Sequence, residues 1–225
     1  MLAFRALKQG LKYRYENWRM WSNYMIVAVD VGEFFEACRA QARIVEERST
    51  KIGAECVDVD VLSRLVDAVT RSDPEHPDQT ADGVAQEMAR ESSQRGLTRR
   101  VLDLFERTIL PRVSSSWILH TYARLLTWQN RWQDALKAYL DGYRCSTAST
   151  FEGGDADVER WRQAVREVQE IVDVVRNFGP RVEGFNWRYQ GRSIVRTFMG
   201  RWKDFRDEAE WDRLLEIQKE LRSEE

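Results

Sequence analysis

Small side chains recur in this chain at an interval of 34 residues. Ala3 and Ala37 are so separated, and so are Val101 and Ala135. Phe105 and Tyr139 keep the same spacing, as do Thr108 and Gly142. That interval is the length of one helix–turn–helix hairpin, and a small residue at a fixed point lets two helices cross closely there. A hairpin built this way cannot bury its apolar face alone, so the pattern demands a stack.

The stretch "WSNYMIVAVDVGEFFEACRA" (residues 21–40) holds most of one hairpin. Trp21 takes the early aromatic position of a first helix, Tyr24 follows one turn later, and Gly32 supplies the turn. Phe34 and Ala37 then begin the second helix. Ala37 to Val101 is one period plus about 30 residues. The surplus is placed in "STKIGAEC" (49–56) and in the polar, acidic segment 72–96, which is punctuated by Pro74, Pro77, Gly83 and Gly96. Such a composition buries too little apolar surface to order itself. Between them "VDVLSRLVDAVTR" reads as a short first helix with Leu62, Leu65 and Val69 on one face.

The expected fold is therefore all-α, a tetratricopeptide-repeat α-solenoid with a C-terminal helical cap. Residues 1–16 read as the second helix of a truncated repeat, so the chain is expected to begin mid-architecture. Residues 17–51 form one repeat, 57–113 a repeat interrupted by insertion 72–96, and 116–148 another. Residues 155–225 leave the period and form capping helices. There Val158, Trp161, Val165, Val168, Val172 and Val175 make one apolar stripe, ended by Gly179-Pro180. Helices around 187–203 and 208–222 follow, the last with Trp211, Leu214 and Leu221 inward. Nine tryptophans are too costly to leave in water and are expected in helix packing or partner contacts.

Chemistry is harder to find. His76 lies in the polar insertion and His120 on a helix without a paired Cys or Asp motif. No HExxH, GxxxxGK[ST], GxSxG or CxxC occurs. The chain is expected to be no enzyme, with no cofactor and no metal. The three cysteines, Cys38, Cys56 and Cys145, are widely spaced and read as reduced thiols of a cytoplasmic or nuclear protein. No apolar run approaches the roughly 20 residues that span a bilayer, so no membrane is expected. A net charge of −2 excludes a globally basic nucleic-acid binder while allowing a local basic face.

That face is Arg188, Arg192 and Arg196, spaced to align along one helix beside Ile194, Val195, Phe198 and Trp202. Residues 181–206 carry seven basic and two acidic side chains, and 207–225 carry three basic and eight acidic. Antiparallel packing with mutual neutralisation is the simplest expectation. An acidic or phosphate-bearing partner is the second, and single-stranded RNA on Tyr189 and the arginines the third.

Stacked repeats bind partners along the groove formed by their first helices. Aligning Trp21, Leu62 and Leu119 lines that groove with Ser22, Asn23 and Ile26, then Ser63, Arg64 and Asp67, then His120, Thr121 and Arg124. Repeats that grip the C-terminal carboxylate of Hsp90 or Hsp70 use a Lys/Asn/Arg clamp. Asn23 and Arg124 resemble isolated parts of it, but Asp60, Asp67 and Trp117 do not complete it.

The segments "YENWRMWSNYMIVAVDVGEFFEACRA", "DVDVLSRLVDAVTR", "LDLFERT" and "YARLL" together resemble the C-terminal part of the tetratricopeptide repeat protein 27 family, whose yeast counterpart maintains the cell wall. The resemblance is most specific over residues 11–70 and follows the order of elements through 222. The chain departs from the family in "STKIGAEC" and in the more acidic 72–96. The resemblance implies a non-enzymatic, cochaperone-like adaptor, with chaperones or spliceosomal assembly factors as protein partners in Hsp90-linked assembly of the U5 small nuclear ribonucleoprotein. It also implies a longer protein of which this chain is a C-terminal fragment; a purely architectural segment, folding against that protein's own N-terminal region, is a third alternative. The spacings themselves support only a helical binding scaffold.

Overall fold

The computed structural model describes residues 2–71, 95–146 and 158–223, and among the described residues there is no strand. The chain divides into two compact units, Met1–Ser114 and Ser115–Glu225.

The first unit contains α1 (Leu2–Tyr13), α2 (Trp18–Asp30), α3 (Phe34–Ile52), α4 (Val59–Thr70) and α5 (residues 95–103), which runs on into a π-helical turn, Leu104–Ile109. Local chemistry sets the boundaries. The Asn17 side chain accepts from the Arg19 and Met20 amides, and Asp58 accepts from Val61, so each satisfies donors at a helix start. At the far end of α2, Gly32 adopts φ +80. Its amide bonds to Val29 O, and the Glu33 amide reaches back to Ala28 O at 2.8 Å. This left-handed reversal needs a residue without a Cβ penalty, and it points α3 back along α2.

The hairpin closes on fully buried small residues, Ala28 from α2 and Ala37 and Ala40 from α3. Trp21 is buried with its Nε1 donating to Tyr15 O at 2.7 Å. Tyr24 stacks on Phe4 of α1 at 5.0 Å between ring centroids. Ala3, expected at a helix crossing, is instead exposed. Helix α1 packs on α2 through Phe4, and Ala3 lies off that face. Val101 is buried as expected, together with Leu104, Phe105 and Ile109. Of insertion 72–96, all but Arg95 and Gly96 lie outside the described residues, and those two are already helical.

A buried polar side chain secures the step into α4. Gln41 is fully buried; its Nε2 donates to Cys56 O at 3.0 Å and its Oε1 accepts from the Asp58 amide at 3.2 Å. Both backbone groups would otherwise be stranded where the short 3-10 turn Gly53–Cys56 meets α4.

The second unit contains α6 (Ser116–Trp128), α7 (Trp132–Arg144), α8 (Val158–Phe178), α9 (Trp187–Arg201) and α10 (Ala209–Ser223). The α6–α7 turn repeats the α2–α3 turn with a different residue: Asn130 takes φ 60, and the Arg131 amide reaches Leu126 O at 3.0 Å. Ala135, Leu136, Ala138 and Gly142 are buried on α7.

Helix α8 buries Trp161, Ala164, Val165, Val168, Ile171, Val172 and Val175. Val158, expected on that stripe, is exposed at the first turn of the helix. Gly179 ends the helix where Trp187 crosses; a Cβ there would fall 2.2 Å from the Trp187 Cβ. Trp161 forms the centre of an aromatic nest. Its ring stacks on Phe198 (5.4 Å), Phe205 (5.3 Å) and Trp211 (6.0 Å) and meets Trp202 at 5.8 Å. Leu214 and Leu221 of α10 are buried in the same cluster, as are Val195 and Phe198 of α9. Not every tryptophan packs, since Trp128 is exposed. No described helix is long and apolar enough to cross a membrane.

Candidate functional site

The first-helix face of the first unit is built by α2 and α4. Asn23 and Ile26 are exposed on α2, Ile26 at 41%, and Ser22 is half-buried. On α4, Arg64 is exposed and Ser63 and Asp67 are half-buried. The Arg64 guanidinium reaches across to Asp30 at 2.7 Å, and Asp67 pairs with Arg71 at 2.9 Å. The face therefore presents an exposed isoleucine and an amide between internally balanced charges. Asp30, which holds Arg64 in place, escaped the sequence reading because it sits at the last residue of its helix.

In the second unit Arg124 is exposed, His120 is half-buried and Thr121 is buried. Thr121 is buried with its hydroxyl donating to Trp117 O at 2.9 Å, an i−4 bond that turns it into the helix. His120 is half-buried edge-on to Tyr139, centroids 5.6 Å apart. Burial lowers its pKa, opposed by the Glu170 and Glu167 carboxylates of α8. Both were assigned outward by analogy with α2, whereas this face of α6 is turned onto its neighbours.

Among the cysteines, Cys38 is the most deeply enclosed. Cys38 lines a cavity of about 210 Å³ between α3 and α5, with Arg100, Asp103 and Arg107 nearby. Burial pushes its thiol up to about 12, so the thiolate that reacts is absent at neutral pH. Among the described residues no three His, Cys, Asp or Glu side chains are grouped to hold a metal ion.

The basic face resolves into two parts. Arg188 lies over the Trp187 ring, 4.8 Å from its centroid. Arg192 and Arg196 instead line a groove of about 280 Å³ with Tyr189 and Ser193 of α9 and Gln218 and Arg222 of α10. The expected neutralisation of α9 by the acidic last helix takes another route for two carboxylates. Glu210 pairs with Arg162 at 3.4 Å and Glu220 with Arg176 at 3.0 Å, both on α8. Helix α10 packs against both helices, so its acids can serve α8 while Arg222 adds a third guanidinium to the groove. Charge totals over a segment could not reveal which face each acid occupies.

Comparison with known proteins places the helical hairpins in context. The chain is 30% identical to a TPR repeat-containing protein of Schizosaccharomyces pombe, over 97% of this chain and 25% of that protein. It is 26% identical to Essential for maintenance of the cell wall protein 1 of Saccharomyces cerevisiae, over 97% of this chain and 24% of that protein. A 38% identity to the tetratricopeptide repeat-containing protein trd-1 of Caenorhabditis elegans covers 32% of this chain and 9% of that protein. The chain thus spans about a quarter of the length of the two yeast relatives. No family model matches it, and no solved structure matches it.

Proposed function

We propose that this chain, a tetratricopeptide-repeat homologue of the two yeast proteins, is a non-enzymatic scaffold that holds protein partners on the first-helix faces of its hairpins. One observation carries the reading. The buried crossings at Ala28, Ala37 and Ala135 use the inner faces of the hairpins, while Asn23, Ile26, Arg64 and Arg124 remain at the surface on rigid helices. Exposed side chains on a fixed frame suit recognition, since little order is lost when a partner docks.

The finer proposal follows the family resemblance: a cochaperone-like factor, cytoplasmic or nuclear, in Hsp90-linked assembly of the U5 small nuclear ribonucleoprotein. The incomplete carboxylate clamp argues that any chaperone contact runs through another surface. A second reading makes the segment architectural, packing on a further part of a longer protein. The short coverage of the yeast relatives favours keeping that reading in the experiment.

Affinity capture with the intact chain and with an Asn23→Ala/Arg64→Ala/Arg124→Ala variant tests the scaffold. Loss of specific partners, with helicity and melting unchanged, is the expected result. Equal recovery of every partner removes the first-helix face from the account. Absence of Hsp90 and U5 components from both captures removes the finer proposal alone.

A further inference from the structure

Helix α1 carries an apolar surface about twice as wide as the one it uses. At about 100° per residue, every apolar side chain from Leu2 to Tyr13 falls within one arc of about 200°, and Arg5, Lys8, Gln9 and Lys12 fill the rest. One side of that arc is covered: Phe4 and Leu11 are buried, and Phe4 stacks on Tyr24 of α2. On the other side Leu2, Ala3, Ala6 and Tyr13 are exposed, Leu2 at 85% and Tyr13 at 87%. The 34-residue register explains the asymmetry. Ala3 and Ala6 correspond to Ala37 and Ala40 of α3, which are fully buried where α3 crosses α2. Phe4 and Leu11 correspond to Cys38 and Val45, which are buried as well. The two second helices therefore share one face that is covered in both and another that is covered in α3 alone. What α3 has in addition is its own first helix.

We propose that the Ala3–Ala6 face of α1 seats a first helix of the α2 kind, supplied by the same polypeptide in a longer protein. The two yeast relatives match this chain over only 25% and 24% of their length, so each holds ample further sequence. Small side chains on this face admit the close crossing that Ala28 makes on Ala37 and Ala40, and Leu2 and Tyr13 stand at its two ends to close over the incoming helix. The size of the face decides between occupants. Helix α1 is about 18 Å long, and a two-helix contact of that length falls short of the roughly 1,200 Å² that a stable association of separate chains buries. A second copy or a free partner would gain too little there. A tethered helix needs no such area, because the connection already holds it beside the face. The proposal rests on the architectural reading and gives it a surface, distinct from the first-helix faces of the scaffold reading.

The test grafts the missing helix onto the full chain. A copy of Asn17–Phe34 is joined directly ahead of Met1, so that Ala3 follows the copied Phe34 by three residues, as Ala37 follows the natural one. The control carries the same copied residues in scrambled order. The graft should melt about 2–4 °C or more above its control. Ala3→Glu/Ala6→Glu should remove that rise and leave the ungrafted chain's melting unchanged, since both positions are exposed there. The free Asn17–Phe34 peptide at about 100 μM should give no rise. A graft that melts with its control, or a rise that survives the double variant, would overturn the proposal. So would equal stabilisation by the free peptide, which would assign the face to a separate partner, or dimers of the ungrafted chain in sedimentation that Ala3→Glu/Ala6→Glu dissolves. Packing through some other surface would show as co-purification with the remainder of a longer protein despite a failed graft, so the failure of this face and that of the architectural reading are told apart.

Discussion

His120 occupies the space that Gly142 leaves open. A Cβ at position 142 would sit 2.6 Å from the imidazole Cδ2 and 3.3 Å from the Leu119 Cβ. Glycine inside a helix ordinarily weakens it by about 1 kcal/mol relative to alanine, so here close packing of α6 on α7 outweighs propensity. Gly142→Ala should therefore destabilise the protein by about 1–3 kcal/mol. Gly200 is the contrasting case. Nothing lies within 4 Å of a Cβ there, and Gly200→Ala should stabilise by about 0.5–1 kcal/mol. Urea denaturation of the two variants measures both signs.

The same histidine gives the second unit a pH dependence of known sign. Burial lowers its pKa from the ordinary 6.5, with Glu170 and Glu167 pulling the other way. The unfolded chain then takes up a proton first as pH falls. The contribution is intact above about 6.5 and declines below it. Melting temperature should fall between about pH 7 and 5, more steeply for the natural chain than for His120→Leu. Equal slopes would remove His120 as the cause. The Lys8–Glu36 pair acts in a lower window: Glu36 is held below the ordinary 4.5 chiefly by Lys8, so its contribution is present above about 4.5 and is lost as pH falls further.

Gln41 predicts a cost that its neutrality conceals. Gln41→Ala would strand the Cys56 carbonyl and the Asp58 amide together, at about 1–3 kcal/mol for each group left without water. Amide hydrogen exchange at Asp58 and Val61 should rise in the variant while α1 is unaffected. Unchanged protection at both amides would contradict the clamp.

Trp161→Ala should be the most damaging single truncation of the second unit. The indole is fully buried and touches four other aromatic rings. About 3–5 kcal/mol is the expected loss, with near-ultraviolet circular dichroism reporting the broken nest.

The hairpins were readable because their determinants are local. A small residue at a crossing, an aromatic one turn before it and a glycine at the reversal leave marks within one window of sequence. Asn130 took the left-handed turn without the glycine signature, and Ala3 kept the period while lying off its packed face. Both departures depend on neighbours that periodicity does not record. The site was less legible for the same reason. Thr121 and His120 share positions with groove residues of α2, yet face inward because other side chains crowd that side of α6. Arg222 joined Arg192 and Arg196 only through the packing of α10 on α9, a long-range relation that helical spacing cannot express.

The aromatic nest of α8, α9 and α10 also answers a counting problem. A repeating polymer has no internal reason to stop, and its last member offers the next one an identical sticky flank. Leu136 of α7 is drawn into the Trp161 cluster, where the helices that follow obey no 34-residue register. That flank of α7 is therefore occupied in this structure by the core built around Trp161.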